Sequence, residues 1–184
     1  SPARSRLAFD EFVSQFLHQL EKDQAKNLHS QDITNQLDYA VVGTGHYTKI
    51  LEENLPFQLT SCQRTAMEEV WDNMAHKNKM SRLIQGDVGT GKTVVAIMAM
   101  LRAIEDGKQA AMLAHTEILA KQHYGVISKY FEVVSNIAET KGGSGMIRGL
   151  RVELITGNVK GKIREQLLSD VSNGFVDVLV GTTA

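Results

Sequence analysis

The chain has 184 residues, 42% hydrophobic and 22% charged, a globular balance with room for one domain and an appended segment. Its 20 Lys and Arg meet 21 Asp and Glu, so no global positive field marks it as a nucleic-acid binder, and any such contact must be local. The lone cysteine, Cys62, excludes an internal disulfide framework, and the longest apolar run, Val94 to Leu101, is too short to span a bilayer. With no signal-peptide core at the N-terminus either, a cytoplasmic protein is expected.

Phe9, Phe12, Val13, Phe16, Leu17 and Leu20 recur at helical spacing and predict an amphipathic helix over residues 5–27. Gly43-Thr44-Gly45 signals a turn, and a short helix is expected from Tyr47 to Asn54. Pro56 disfavours helix at Leu55, which sets a domain boundary there, with residues 1–54 on one side and 55–184 on the other. Thr60-Ser61-Cys62-Gln63 has the form of a capping box, opening a helix whose apolar face is Met67, Val70, Trp71 and Met74.

A repeating alternation follows. Arg82 to Gln85 reads as a strand, then come a glycine-rich loop and a helix from Thr93 to Ile104 that stops at Asp106-Gly107. Ala110 to Leu113 is a second strand and Thr116 to Phe131 a helix, with Thr116 as N-cap. After a loop holding Gly142-Gly143-Ser144-Gly145, Val152 to Ile155 is a third strand. Val159, Ile163, Leu167 and Val171 mark a helix ending at Asn173-Gly174, and Val176 to Val180 is a fourth strand, apolar enough to be buried on both faces. Strand and helix in alternation predict an α/β fold with a parallel sheet and flanking helices.

Gly86-Asp87-Val88-Gly89-Thr90-Gly91-Lys92-Thr93 satisfies G-x-x-x-x-G-K-[ST], the phosphate-binding loop. Glycines let the backbone curl so that successive N–H groups face phosphate oxygens, and the helix that follows adds its positive dipole end. The Lys92 ammonium is placed to reach the β- and γ-phosphates and the Thr93 hydroxyl to ligate Mg²⁺, so Mg-ATP is the expected ligand. Asp87, inside the loop, is expected to face outward and accept backbone hydrogen bonds. Gln63 can donate to and accept from an adenine edge at once, or simply complete the capping box with Thr60.

Lys160, Lys162 and Arg164 sit in the opening turns of a helix, where cations oppose the dipole. A nucleic-acid phosphate would offset that cost, and a solvated surface face is the reading that stands level with it. His46, His76, His115 and His123 lack ligand-spaced partners and read as surface or packing residues. The carboxylate that a phosphate-loop ATPase holds at the end of a neighbouring strand is missing. Leu113 is followed by Ala114-His115, Ile155 by Thr156-Gly157 and Val180 by Gly181-Thr182.

Several longer stretches carry a resemblance. They are Leu55 to Thr60 with Gln63, Arg82 to Ala96, and Thr116-Glu117-Ile118-Leu119-Ala120-Lys121-Gln122-His123-Tyr124, followed by Leu154 to Gly157 with Lys160-Gly161-Lys162, and Val178 to Thr182. In order and spacing, residues 55–184 resemble the RecG family of bacterial DNA helicases, and residues 4–11 resemble the linker helix that precedes the motor in that family. The resemblance implies a RecA-like motor of superfamily 2 that couples ATP hydrolysis to translocation on duplex DNA and remodels stalled forks and branched recombination intermediates. It implies that Gln63 belongs to an adenine-binding motif with Thr60, that Phe57 lies near the base, and that Thr116, Gly157 and Thr182 fall in motifs that line a DNA track. Residues 1–54 would be a helical linker and 55–184 the first part of a motor domain, cut before the acidic Walker B motif, with the wedge and second motor domains elsewhere. His115 stands where the family has proline, Thr183 where it has histidine, and the loop at Gly142 is longer than in the family. Two alternatives stay open: the related Mfd translocases, which couple transcription to repair, and a non-catalytic nucleotide-binding module.

Overall fold

The computed structural model describes residues 40–41, 43–76, 80–140 and 149–182; the helix expected over 5–27, the glycine loop at 142–145 and Thr183 lie outside them. Residues 40–184 form one compact unit. Its elements are α1 (His46–Glu53), α2 (Ser61–Ala75), α3 (Lys92–Glu105), β1 (Ala110–Ala114), α4 (Glu117–Thr140), β2 (Val152–Ile155), α5 (Gly161–Ser172) and β3 (Val178–Thr182). The three strands form a parallel sheet in the order β1-β3-β2, in register from Ala110 opposite Val178 to Ala114 opposite Thr182. The α/β class and parallel topology match expectation.

The expected strand at Arg82–Gln85 is not one. The segment is irregular, and Leu83 is 87% exposed. A strand exists only as part of a ladder, and β1 bonds β3 on one side while no described segment bonds residues 82–85. The local sequence is instead held by side chains, with Arg82 paired to Glu69 and hydrogen-bonded to Asn73 of α2. Two boundaries also move. α4 continues to Thr140 rather than Phe131, because its buried stripe of Ile127 and Phe131 extends through Val134 and Ala138. The last strand runs two residues further along the chain, taking in Gly181 and Thr182, while Val176 and Asp177 lead into it.

The core gathers around α3 and α4. Ile97, Met98 and Leu101 of α3, Ile127, Phe131 and Val134 of α4, Leu51 of α1, and Val178 and Val180 of β3 are all fully buried. Each such side chain contributes about 1.5–3 kcal/mol of hydrophobic stabilisation. β3 is the central strand, and its Val178 and Val180 face α4, with Leu179 half-buried on the other side. That other face is less well covered at β1, where Leu113 is 68% exposed. α5 buries only Leu167 and is tied by polar contacts. The Gln109 amide donates to the Val171 and Val176 carbonyls at 2.8 Å, and Arg151 pairs with Asp170 at 2.8 Å.

α1 is fixed from a distance. The Glu105 carboxylate, in the last turn of α3, accepts from Gly45 N (2.5 Å), His46 N (2.6 Å), Tyr47 N (3.2 Å) and the Thr44 hydroxyl (2.9 Å). It thereby serves as the N-cap that α1 does not provide for itself. Glu105→Ala leaves these donors without a charged acceptor, and urea denaturation should show a loss of about 2 kcal/mol, with Glu105→Gln near half that. An unchanged midpoint for both variants would mean that solvent satisfies the α1 start equally well.

Candidate functional site

The capping box forms as read. The Thr60 hydroxyl accepts from Gln63 N at 3.2 Å, and the Gln63 side-chain oxygen accepts from Thr60 N at 2.8 Å. The other end of the Gln63 amide is also engaged, its nitrogen donating to the Thr90 carbonyl at 2.9 Å. Gln63 therefore bridges the start of α2 and the glycine loop, and one N–H and one lone pair of its amide remain for a further partner.

The loop itself, residues 86–91, is an exposed turn. Thr90 N and the Thr90 hydroxyl both donate to the Asp87 carbonyl, at 3.3 and 2.8 Å. Asp87 is exposed as expected, but its acceptor in the loop is the main-chain carbonyl rather than the carboxylate. Val88 is fully exposed. The Lys92 ammonium folds back over the loop and donates to the carbonyls of Gly86 (2.6 Å) and Asp87 (2.7 Å). Lys92 and Thr93, both half-buried, occupy the first turn of α3. No side chain caps that turn, because the N-cap is Gly91 in the left-handed conformation. A helix start without a cap leaves N–H groups available to an anion, so the residues present fit a bound phosphate.

Thr60, Gln63, Gly86, Thr90 and Lys92 line one cleft of about 440 Å³, whose apolar wall is Ala66, Ile84 and Val95. Phe57 is not among them. It lies, 45% exposed, in a separate and larger cleft of about 730 Å³ with Lys49, Pro56, Leu59 and Arg64. The structure thus joins the capping box to the glycine loop and leaves Phe57 apart.

The other group of candidate residues collects at the carboxyl ends of the strands. Thr182 ends β3, Thr116 follows β1, and Gly157 follows β2. Thr116 is the N-cap of α4, its hydroxyl accepting from Leu119 N at 3.2 Å. Residues 156–159 form a turn closed by Val159 N to the Thr156 carbonyl at 3.0 Å. Lys160 and Lys162 are exposed at the start of α5, and Lys160, the N-cap, provides no side-chain cap. Sequence reading missed the residue that ties these pieces together. Glu117, in the first turn of α4, accepts from Lys121 at 2.7 Å and from the Asn158 amide at 2.8 and 3.0 Å. The hydrogen bond from Lys121, and then that from Asn158, hold the Glu117 carboxyl below the usual carboxylate range. It therefore stays ionised as the pH falls through that range and loses its charge only below it. The one sequence signal was an acidic residue directly after an N-cap threonine. Among the described residues no cluster of three or more His, Cys, Asp and Glu forms a metal site.

Two loop glycines separate conformation from contact. Both have positive φ, 83° at Gly89 and 78° at Gly91. A Cβ on Gly89 meets open space, whereas one on Gly91 runs into the Gln63 amide nitrogen. Gly89→Ala should cost about 1 kcal/mol from the left-handed backbone alone, and Gly91→Ala about 2 kcal/mol or more, read by urea denaturation. Equal costs would show that the Gln63 bridge yields freely.

Residues 60–184 match the DEAD/DEAH box helicase family. Among curated relatives, the ATP-dependent DNA helicase RecG of Synechocystis sp. is 36% identical over 186 residues, spanning 100% of this chain and 20% of that protein. RecG of Staphylococcus aureus is 36% identical over 187 residues, spanning 99% of this chain and 24% of the relative. The chain thus spans about a fifth to a quarter of the relatives it matches. A solved structure of RecG bound to a three-way DNA junction superposes with a TM-score of 0.66 at 35% identity, over 78% of this chain and 18% of that one. The family match covers the capping box, the glycine loop and all three strands, and the chain belongs to the DEAD/DEAH box helicases.

Proposed function

We propose that this chain is the ATP-binding portion of a RecG-like, ATP-dependent DNA helicase that remodels branched DNA in the cytoplasm. The observation that carries the reading is the uncapped start of α3 beneath the glycine loop, with Lys92 poised over loop carbonyls. Residues 86–93 (Gly86, Asp87, Val88, Gly89, Thr90, Gly91, Lys92 and Thr93) would hold the nucleotide phosphates, and Gln63 with Thr60 the base side. Phe57 would approach the base only by movement of the 55–59 segment. The Thr93 hydroxyl would help hold Mg²⁺, whose charge would offset that of the phosphates.

The lysine has a specific task. It exchanges two neutral carbonyl acceptors for charged phosphate oxygens, and charge-assisted bonds are about twice as strong as neutral ones. The exchange favours binding, but breaking the two existing bonds subtracts from the gain. Modest affinity is therefore expected. The described strands end in Ala114, Ile155 and Thr182, none able to polarise an attacking water, so this chain should hydrolyse little ATP by itself.

A second reading, a nucleotide-binding module without catalysis, is favoured by those same strand ends. The Mfd-like alternative is less supported, since the curated relatives named above are RecG proteins.

Titration of the purified chain with labelled ATP and Mg²⁺ should saturate, and Lys92→Ala should weaken binding at least about tenfold while leaving the circular-dichroism spectrum unchanged. Equal affinity would remove the chemical basis of the proposal. DNA-stimulated hydrolysis abolished by Lys92→Ala would instead mean that a catalytic carboxylate lies outside the strand ends. The DNA face is tested apart from the nucleotide. Lys160→Ala with Lys162→Ala should weaken binding of a labelled three-way junction and reduce the salt slope by about 2, one phosphate per lysine. An unchanged slope would place the lysines on a solvated face.

A further inference from the structure

We propose that Glu117 is a positioning residue for the DNA-facing edge, acting as a clasp that fixes the start of α5 against the start of α4; this rests on the reading of that edge as a nucleic-acid surface. The Asn158 amide donates to both carboxylate oxygens across 41 positions of sequence. On one side of the clasp stands Thr116, the α4 cap, and on the other the 156–159 turn leading to Lys160 and Lys162.

The need for a clasp follows from how little else holds this end of α5. Among the residues of that helix only Leu167 is buried. Its far end is secured by Gln109 and by the Arg151–Asp170 pair. Its near end starts at Gly161, with φ 59°, and has no side-chain cap. From the 157–160 segment it is the Asn158 side chain that reaches another element, at Glu117. Without them, the two lysines would sit on a segment with loose attachment, and each would pay ordering entropy on meeting a phosphate.

The charge of Glu117 makes the claim testable by sign. A bystander carboxylate beside a phosphate-binding face repels DNA, and its removal should tighten binding, the more so because Lys121 would be freed. A positioning carboxylate behaves in the opposite way. Its removal should weaken binding despite the gain of positive charge, and Gln, which keeps an acceptor for Asn158, should restore it.

The experiment measures binding of a fluorescein-labelled three-way DNA junction to the full 184-residue chain, at two salt concentrations, with melting curves for every variant. Glu117→Ala and Asn158→Ala should each weaken binding about tenfold, the double variant no further than either single one, and Glu117→Gln by about twofold or less. Hydrogen exchange of the 157–161 amides should quicken in both alanine variants and not in Glu117→Gln, a readout independent of DNA. Unchanged or tighter binding by Glu117→Ala, while the Lys160/Lys162 double variant still weakens it, overturns the clasp and spares the DNA face. Unchanged exchange in Asn158→Ala overturns it as well. A junction that ignores the Lys160/Lys162 double variant, or fails to bind the unaltered chain, removes the DNA face and the clasp together.

Discussion

The site depends on a helix that starts without a cap. α3 opens on Gly91 and Lys92, with no side-chain acceptor for its first N–H groups and a cation at the positive end of its dipole. The absent cap costs about 1 kcal/mol and the misplaced charge up to about 1 kcal/mol more. Burial outweighs both, because Ile97, Met98 and Leu101 are fully enclosed and each is worth about 1.5–3 kcal/mol. The apolar character of α3 all the way round is thus what allows its start to remain open. A helix held only by local propensity could not keep that end free for a ligand.

The other helix starts sharpen the point. α1 is capped from 60 residues away by Glu105, α2 by Thr60, and α4 by Thr116. α3 and α5 have no side-chain cap, and these are the two whose opening turns bear Lys92, and Lys160 with Lys162. In both, the protein spends stability on a cationic, donor-rich end that an external anion would complete. The difference lies in what steadies each end. α3 is steadied by its core, and α5, almost without a core, by polar ties at both ends.

What the sequence made legible was local. The capping box, the glycine loop, the stop at Gly107 and the strands at 110 and 152 depend on residues within a few positions of one another, and they appear where expected. The failures depend on distant partners. Arg82 to Gln85 has strand composition, but a strand needs a neighbour that no described segment offers. Phe57 shares a motif with Thr60 yet lines another cleft, one it shares with Lys49 and Glu52 of α1. Glu105 and Glu117 reach partners 58 to 61 and 41 residues away, separations at which no spacing rule applies.

Gln63 physically joins the two halves of the proposed nucleotide site. Its amide caps α2 through one atom and grips the Thr90 carbonyl through the other. Any base it reads must use the remaining N–H and lone pair, with the side chain already fixed in orientation by the protein. The same bond to Thr90 constrains the turn in which Lys92 meets the Gly86 and Asp87 carbonyls. A base that pulled on the Gln63 amide would therefore be felt in the loop, and a phosphate that drew Lys92 away would be felt at the capping box. In the proposed site, recognition of the base and grip on the phosphates would share one side chain and could not be tuned independently.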